Sequence, residues 1–553
     1  MAASEKKKHL NKPVLILIIF LVIIGLGYGG WSLYKYQIIK GKVKNAVFEK
    51  TNGMYTIRYD NMTLDEVGGY LSVTNLRIIP DTAKFRAMTE QGTNPPLMVS
   101  ISVPELKVAG VKTPEALINK NITGRKLQVS NATVVVYYAT RHKDSSASNE
   151  AEPLYRQLLG NMNSIQADSV EVNNVDLSFI DIRTGRKSIG ASNISVQLRD
   201  VVIDSLHAND SSRFYFSRAV HISGKEGLLK SPDGVYFYRF KNFDFDKEGG
   251  IFSVEHLSVD PQLSEEKFAA YAKVQKDRFN VQVKGITVKN INLQRLMLTD
   301  IVADSIDIQD FEMRVYHDRS YPGSNKIKVG TYPQQLLMKM PVLLNLRKLV
   351  VKNAFIEYKE KNPKSDFSGK VQFAHSSAVI SNITNDFTAI AKDNRVQLDF
   401  HSRFLDMASI YAHISLMLHD TSGKFYFNGN MDAFDAEKLN VLIEPMGLAK
   451  IERGKIQKVK FDFKGQNYGS TGKLTLLYDG LKISLLKKDE EDNTLKKKGL
   501  ASFIANFVVK NSNPGKKGSP RVADVHFSRD VHKSFFNLMW KSIFAGVKET
   551  VGM

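Results

Sequence analysis

Histidine and acidic side chains are the residues of this sequence that could carry acid–base or metal chemistry. The chain has 12 histidines and no cysteine, which excludes disulfides and thiolate metal sites. No HExxH pair is present, and no two histidines have the spacing of metal ligands on a predicted helix. His526 and His532 flank Asp530, and we predict that this set lies on the surface. The sequence therefore predicts no metal ion and no other cofactor.

Glycine motifs do not supply a catalytic or nucleotide site either. Gly25, Gly27 and Gly30 fit GxGxxG, but they lie inside an apolar run rather than after a strand, so a dinucleotide site is not predicted. Gly423 and Lys424 lack the rest of a phosphate-binding loop, and no GxSxG motif is present. A pair of catalytic carboxylates cannot be assigned while the strand register is unknown. We predict no catalytic residues.

A ten-residue pattern of alternating apolar and polar residues is the most informative feature of the chain. It is clearest from Leu127 to Val136, where the alternation pauses at Asn131 and resumes on the opposite parity. The pattern also starts at Leu71, Val170, Val196, Tyr238, Ile286, Ile306 and Leu349. Its fifth position is Asn75, Asn131, Asn174, Asp200, Asn242, Asn290, Asp310 or Asn353.

Alternation with a period of two predicts a strand with one apolar and one polar face. A slip of one residue would turn the later apolar side chains to the polar face unless the backbone absorbs the extra residue. Asparagine and aspartate tolerate the left-handed conformation that such a bulge needs. We therefore predict strands that bend near this residue and keep their apolar side chains on one face. An ordinary antiparallel sandwich would also alternate, but the recurrence of the slip favours a repeat architecture.

The N-terminus has the composition of a membrane anchor. No charged residue occurs from Pro13 to Tyr34, and Val14 to Leu26 is nearly all Val, Leu, Ile and Phe. About 20 apolar residues span a hydrocarbon layer of ~30 Å, and Trp31 falls where aromatic side chains meet the headgroups. The sequence predicts a basic tail over residues 1–12 and a transmembrane anchor over residues 13–34. A cleaved signal peptide is the alternative, and charge alone does not give the orientation.

The C-terminal residues 531–553 have the clearest helical pattern outside the anchor. Three aromatic residues recur at helical spacing, and three lysines fall within about 80° of one another at 100° per residue. Such a face is typical of a helix at a membrane interface, and the alternative is a helix that caps the sheet and buries the same aromatic residues. The residues are Phe536, Trp540 and Phe544, which we predict as membrane contacts together with Trp31, and Lys533, Lys541 and Lys548.

Predicted helices between the strands are few and short. Four segments begin at a proline, which favours the first turn of a helix. They are Pro114 to Asn121, Pro153 to Asn163, Pro261 to Lys276 and Pro333 to Leu346. A sheet with one apolar face must cover it with helices, a second sheet or a ligand. Because helices are scarce, a closed barrel or sandwich and a lipid-filled groove remain.

The order of these segments resembles the AsmA-like proteins, the bacterial envelope family that includes TamB. The resemblance rests on an apolar helix, a short helical run from Ala46 closed by Gly53, a strand from Met54 to Tyr59, and the bent strands. It implies a single-pass inner-membrane protein with residues 1–12 in the cytoplasm and the bulk of the chain in the periplasm. It also implies a long curved sheet whose hydrophobic groove conducts or holds lipids. The chain is shorter than several members that are thought to bridge two membranes.

The charge of the chain does not by itself identify a partner. A formal charge of +20, from 77 basic and 57 acidic residues, suits an anionic membrane and a nucleic acid equally. The basic residues are not gathered on one helix, and most aromatic residues fall on the apolar face of predicted strands, so nucleic acid is not predicted. We expect membrane lipids as partners and envelope assembly proteins as further candidates, and the oligomeric state stays open.

These observations predict a mainly β protein. Residues 35–530 are expected to form an elongated, curved, mostly antiparallel sheet with a few short helices, followed by the C-terminal amphipathic helix over residues 531–553. The expected function is to bind or convey phospholipid-type lipids along a groove and so to maintain the envelope. A scaffold that assists outer-membrane protein assembly without lipid transport is the alternative, and an envelope hydrolase has the least support. Candidate groove residues are Leu127, Val129, Val134, Val170, Val172, Val175, Leu177, Phe179, Phe240, Phe243, Ile306, Ile308, Phe311, Met313, Leu349, Val351 and Ile356.

Overall fold

The fold is taken from a computed structural model that describes most of the chain. The described residues are 48, 51–65, 67–95, 97–111, 120–139, 154–159, 162–208, 210–214, 216–297, 299–489, 494–497, 509–515 and 518–553. The predicted anchor over residues 13–34, with Trp31, lies outside them. So do residues 114–119 of the first predicted helix.

The chain forms two compact units. The first comprises Met1–Leu257 and Leu293–Thr299, and the second comprises Ser258–Asn292 and Asp300–Met553. In the described residues both consist mainly of β-strands, most of which pair antiparallel, and the described helices before the C-terminal one are short. The prediction of a mainly β, mostly antiparallel fold with few helices is therefore confirmed.

In the first unit, β3 pairs antiparallel with β1, β2 and β4, and β4 pairs antiparallel with β5 and β6. The consecutive strands β5 and β6 both pair parallel with β7, and antiparallel pairs then join β7 to β8, β8 to β9 and β9 to β10. The elements are β1 (Tyr55–Arg58), β2 (Asn61–Asp65), β3 (Tyr70–Pro80), α1 (Thr82–Glu90), β4 (Leu97–Ala109), β5 (Asn121–Ser130), β6 (Thr133–Tyr138), α2 (Leu154–Leu159), β7 (Ser164–Asp181), β8 (Lys187–Ile203), β9 (Ser217–Lys230), β10 (Tyr236–Asp246) and β11 (Ile251–Pro261), whose last residues belong to the second unit.

In the second unit, β12 pairs antiparallel with β13, and β13 pairs parallel with β14. Antiparallel pairs then run from β14 through β15, β16, β17 and β18 to β20, β21 and β23. The elements are α3 (Glu265–Ala272), β12 (Arg278–Lys289), β13 (Ile301–Asp318), α5 (Pro333–Met338), β14 (Leu344–Lys361), β15 (Ser368–Thr384), α6 (Phe387–Ile390), β16 (Arg395–Phe404), β17 (Ala408–Met417), β18 (Phe425–Met431), β19 (Phe434–Asp435), a 3₁₀ turn (Ala436–Leu439), α7 (Asn440–Gly447), β20 (Ala449–Gln466), β21 (Gly469–Asp489), β22 (Thr494–Lys497), β23 (Val522–Ser528) and α8 (Phe535–Val551), while α4 (Leu293–Met297) belongs to the first unit.

Most of the predicted bends are present in the backbone. Six of the eight Asn and Asp residues have positive φ, between 48° and 57°: Asn75, Asn131, Asn174, Asp200, Asn242 and Asn290. Asp310 and Asn353 are not among the residues with positive φ, so the predicted left-handed conformation is wrong for those two copies, although β14 has a register shift between Val351 and Ala354, next to Asn353. Three of the four predicted proline-led helices are also confirmed, although α2, α3 and α5 are shorter than the segments that predicted them.

Each bend places two consecutive residues on the polar face, and these pairs line up across neighbouring strands. Thr74 of β3 lies opposite Glu105 of β4, which lies opposite Ser130 of β5, which in turn lies beside Asn173 of β7. Apolar residues on both sides of each pair are buried. A slip in one of these strands is thus matched by a slip in the next, so both halves of each keep their apolar side chains on the same surface.

The parallel pairs carry this alignment in their side chains. The Asn174 amide donates a hydrogen bond to Asn131 Oδ1 at 2.6 Å across the β5/β6–β7 pair. The Asn353 amide donates to Asp310 Oδ1 at 2.8 Å across the β13–β14 pair. Both bonds join equivalent positions of strands that pair in register. A side-chain hydrogen bond of the same kind therefore joins a parallel strand pair in each unit.

The two units contain a duplicated module. In each, a strand pairs parallel with the next long strand after a short helix, and that strand forms an antiparallel hairpin. The modules are β5/β6–α2–β7–β8 and β13–α5–β14–β15. Corresponding positions lie the same distance apart along the chain: Leu154 and Pro333 at the helix starts, Val129 and Ile308, Val172 and Val351, Asn174 and Asn353. The ten-residue repeats are thus parts of a larger repeat.

Asn174 and Asn353 offer a matched test of the bend. Both are exposed and make the same cross-strand amide bond, but only Asn174 has positive φ. Asn174→Val should destabilise β7 by roughly 1–3 kcal/mol more than Asn353→Val destabilises β14, because a β-branched residue is strained at the positive φ of position 174. Asn174→Gly should be tolerated better than Asn353→Gly. Hydrogen exchange of peptides spanning β7 and β14 measures the stability of both strands, and equal effects of the two valines would contradict the left-handed conformation of Asn174.

Candidate functional site

The apolar face of the first unit is a closed protein core. Side chains from β3 to β8 pack against one another, and many of them have no more than 2% of their surface exposed. This core contains six predicted groove residues: Leu127, Val129, Val134, Val170, Val172 and Val175. Leu177 and Phe179 pack against it and are partly buried. Protein atoms therefore already cover this part of the apolar face.

Two predicted groove residues near the end of this unit lie on glycines of the neighbouring strand. The Phe240 ring fills the space over Gly227, and the Phe243 ring fills the space over Gly224, where a Cβ would clash with each ring. The two rings contact each other edge to face at 5.5 Å. Both phenylalanines stay partly exposed.

The apolar face of the second unit is open along the middle of its strands. The predicted groove residues of β13 and β14 are all partly exposed, whereas their counterparts in the first unit are buried, except that Leu177, the counterpart of Ile356, is also partly exposed. They are Ile306, Ile308, Phe311, Met313, Leu349, Val351 and Ile356. The same face continues over β15 and β16 with Ala378, Leu398 and Phe400, which are also partly exposed, while Ile380 and Ile414 pack against the buried core of this unit. We call this surface, formed by the apolar side chains of β12 to β16, the open apolar face.

Helices of the second unit contact only part of this surface. Their main contacts are those of α7 with β15 and β20 and those of α8 with β21 and β23, while α3 touches β13 only slightly. Buried apolar side chains on these strands include Val283, Ala303, Val315, Leu346 and Ala354. The predicted groove residues of β13 and β14 are more exposed than these.

A packed aromatic core closes the other part of the second unit. Tyr332, Phe425 and Phe535 contact one another with ring centroids 4.9 to 5.8 Å apart. The guanidinium of Arg529 lies 4.6 Å from the centre of the Tyr332 ring. Burial raises the pKa of the Tyr332 hydroxyl, which donates a hydrogen bond to the Gln466 carbonyl. The open apolar face therefore ends at a rigid core.

The C-terminal helix α8 belongs to this core but does not bury the predicted aromatic face. Its residues Phe535 and Leu538 are buried. Phe536, Trp540 and Phe544 are 67%, 42% and 38% exposed. The alternative in which a capping helix buries these three side chains is therefore wrong, although the helix does cap the sheet.

Titratable side chains do not form a metal centre in the described residues. His526 is exposed, and Asp530 accepts a hydrogen bond from the backbone N–H of His532, as expected for a surface set. A cluster of hydrogen-bonded polar side chains lies on the polar face of β16 and β17. There a hydrogen bond from His413 at 2.8 Å lowers the pKa of Asp399, and Tyr411 donates to the same carboxylate oxygen.

Comparisons with known proteins add no family assignment. No protein-family model matches the chain, and no curated protein matches it. In the part of the chain that the structure describes, no helix is long and apolar enough to cross a membrane. The site is therefore defined by its geometry alone.

The duplicated module supplies matched positions that distinguish an open face from a core. Val129 and Val172 are buried, whereas the corresponding Ile308 and Val351 are partly exposed. Val129→Asp or Val172→Asp should destabilise the first unit by roughly 4 kcal/mol or more, because each buries an unpaired charge. Ile308→Asp or Val351→Asp should cost about 1 kcal/mol.

Differential scanning calorimetry would measure the unfolding transitions of these four variants, with the alanine variants as controls for lost volume. Unfolding of the second unit by Ile308→Asp and Val351→Asp, as severe as that of the first unit by the other two, would show that the face is a closed core.

Proposed function

We propose that the protein binds the acyl chains of membrane lipids on the open apolar face of the second unit. The observation that carries the proposal is the partial exposure of Ile308, Val351 and their neighbours along the middle of β13 and β14. Full burial of a large apolar side chain gains ~1.5 to 3 kcal/mol over its exposure to water, so an apolar ligand that covered this row of partly exposed side chains would recover part of that gain. Monomeric soluble proteins rarely expose contiguous surfaces of this kind unless they bind something.

The chemistry of the surface selects the class of ligand. It consists of aliphatic side chains and phenylalanines that present no hydrogen-bonding groups, and the polar side chains of the same strands point to the other face. A ligand that matches it is long, apolar and flexible. An acyl chain has these properties, and its headgroup would remain in water at the margin of the sheet.

A role in the cell envelope follows as part of the same proposal. The apolar segment over residues 13–34 would anchor the chain in the inner membrane, and the β units would lie in the periplasm and hold or convey phospholipid-type lipids. The resemblance to AsmA-like proteins supports this assignment through the order of the segments. The net charge of +20 is compatible with a location close to anionic lipid surfaces.

Site-specific photo-crosslinking tests whether lipid occupies this face. Benzoylphenylalanine at Ile308 or Val351 should crosslink to lipid in membranes of the expressing cell. The same residue at the matched Val129 or Val172 should not, because protein covers those positions. Lys352, which is exposed on the polar face of β14, is the control for nonspecific membrane contact. Mass spectrometry of the adducts identifies the lipid class.

A second measurement separates lipid binding from the alternative scaffold role. Native mass spectrometry of the purified chain should detect bound phospholipid, and Ile308→Asp combined with Val351→Asp should reduce it several-fold without loss of the folded state. A lipid-free protein, or crosslinks to lipid that are equally strong at Lys352, would reject the proposal. Crosslinks from Ile308 to an envelope protein instead of lipid would favour the scaffold.

A further inference from the structure

The C-terminal helix α8 presents an aromatic surface that the fold holds away from the core. Phe536, Trp540 and Phe544 are spaced by four residues, so they form one stripe along the helix. All three are exposed although other side chains of the same helix are buried. We call these three residues the aromatic stripe.

Close packing on the opposite side fixes the orientation of the helix. Ser542, Gly546 and Thr550 are buried and are also spaced by four residues. A Cβ at Gly546 would lie 2.7 Å from the Leu474 Cβ, so only glycine allows this approach. The Ser542 hydroxyl is hydrogen-bonded to that of Ser470 at 2.6 Å in the core. Rotation that buried the aromatic stripe would force large rings into this close contact.

Both ends of the helix are also fixed. The Ser534 hydroxyl caps the N-terminus by accepting a hydrogen bond from the Asn537 N–H at 3.2 Å. The buried Arg529 guanidinium donates to the Lys533 carbonyl at 2.7 Å and to the Asn467 carbonyl at 2.9 Å. Gly552 ends the helix with a φ of 84°. The exposure of the aromatic stripe is therefore a property of the folded state rather than of a loosely attached terminus.

Basic residues flank the aromatic stripe. The Nζ atoms of Lys541 and Lys548 lie 5.8 Å and 5.0 Å from the centre of the Phe544 ring, and both lysines are exposed. The Trp540 and Phe544 rings are stacked, with 14° between their planes. Neither lysine has an acidic partner within salt-bridge distance among the described ion pairs.

The geometry points to an anionic bilayer as the occupant of this surface. Aromatic side chains beside lysines insert shallowly at the headgroup level, where the rings leave water and the ammonium groups meet lipid phosphates. A second copy of the chain would bring the same lysines together, and like charges disfavour that contact. Helix α8 is thus a membrane-docking element that is built into the end of the sheet. This inference concerns a bilayer surface and does not depend on lipid bound to the open apolar face.

Vesicle capture by the full-length chain tests the inference. The chain is reconstituted in phosphatidylcholine nanodiscs, immobilised through an N-terminal tag, and mixed with fluorescent vesicles of phosphatidylcholine containing phosphatidylglycerol. Capture should be strong, should fall as salt is raised, and should be weak with vesicles of phosphatidylcholine alone. In a Trp31→Phe background, which leaves Trp540 as the single tryptophan, its fluorescence should shift blue and be quenched by brominated lipid.

Matched variants assign the binding to the aromatic stripe. Combined Phe536→Ser, Trp540→Ser and Phe544→Ser should weaken capture at least about tenfold. The control combines Tyr271→Ser, Phe387→Ser and Val441→Ser, which remove equally exposed side chains from α3, α6 and α7, and it should capture vesicles normally. Lys541→Gln and Lys548→Gln should each weaken capture about fivefold. Because all of these side chains are exposed, the thermal midpoint should hardly change.

Four outcomes would overturn the inference. They are no capture by the wild type, undiminished capture by the aromatic variant, an equal loss in the control variant, and sedimentation that shows a dimer dissociated by the aromatic substitutions. The last result would assign the stripe to a second copy. Lipid detected on the purified chain by native mass spectrometry should be the same in wild type and aromatic variant, so failure here is distinguishable from failure of lipid binding on the open apolar face.

Discussion

The fold depends on keeping the apolar side chains of every strand on one surface while the strand itself bends. A bend that adds one residue reverses the alternation, and the strand keeps its apolar face only if two neighbouring residues both point to the polar side. A neighbouring strand that bends at the same level keeps both its hydrogen bonds and its side chains in register. The pairs Thr74–Glu105, Glu105–Ser130 and Lys284–Asp310 are aligned in this way, whereas β7–β8 and β14–β15 have register shifts at the bend.

The same strand pattern leads to two different surroundings. In the first unit the side chains around Val129 and Val172 pack against one another and exclude water, whereas those around Ile308 and Val351 do not. Nothing in the ten-residue pattern distinguishes these cases, because alternation reports which side of a strand is apolar and not what covers that side. Burial here is a tertiary property that depends on the neighbouring strands and helices.

The fold class, the bends and the C-terminal helix were predictable because each rests on local chemistry. Asparagine tolerates positive φ, and Asn75, Asn131 and Asn174 adopt it. The sequence could not show that Asn353 would make the same amide contact without that backbone conformation. It also could not show which face of α8 meets the sheet, since glycine is required at position 546 only because the helix packs closely against Leu474, a residue distant in the sequence. The larger duplication was accessible from the equal spacing of Leu127 with Ile306 and Val170 with Leu349.

The in-register parallel pairs restrict how such a chain can change in length during evolution. Because β7 pairs in register with both β5 and β6, and β14 with β13, a one-residue insertion in any of these strands would shift the register with its parallel partner unless a bulge absorbed it. Connections that lie outside the paired strands tolerate insertions far more easily. A lineage could therefore lengthen or shorten this architecture by whole strand–helix–strand modules, while the strands themselves keep a fixed length.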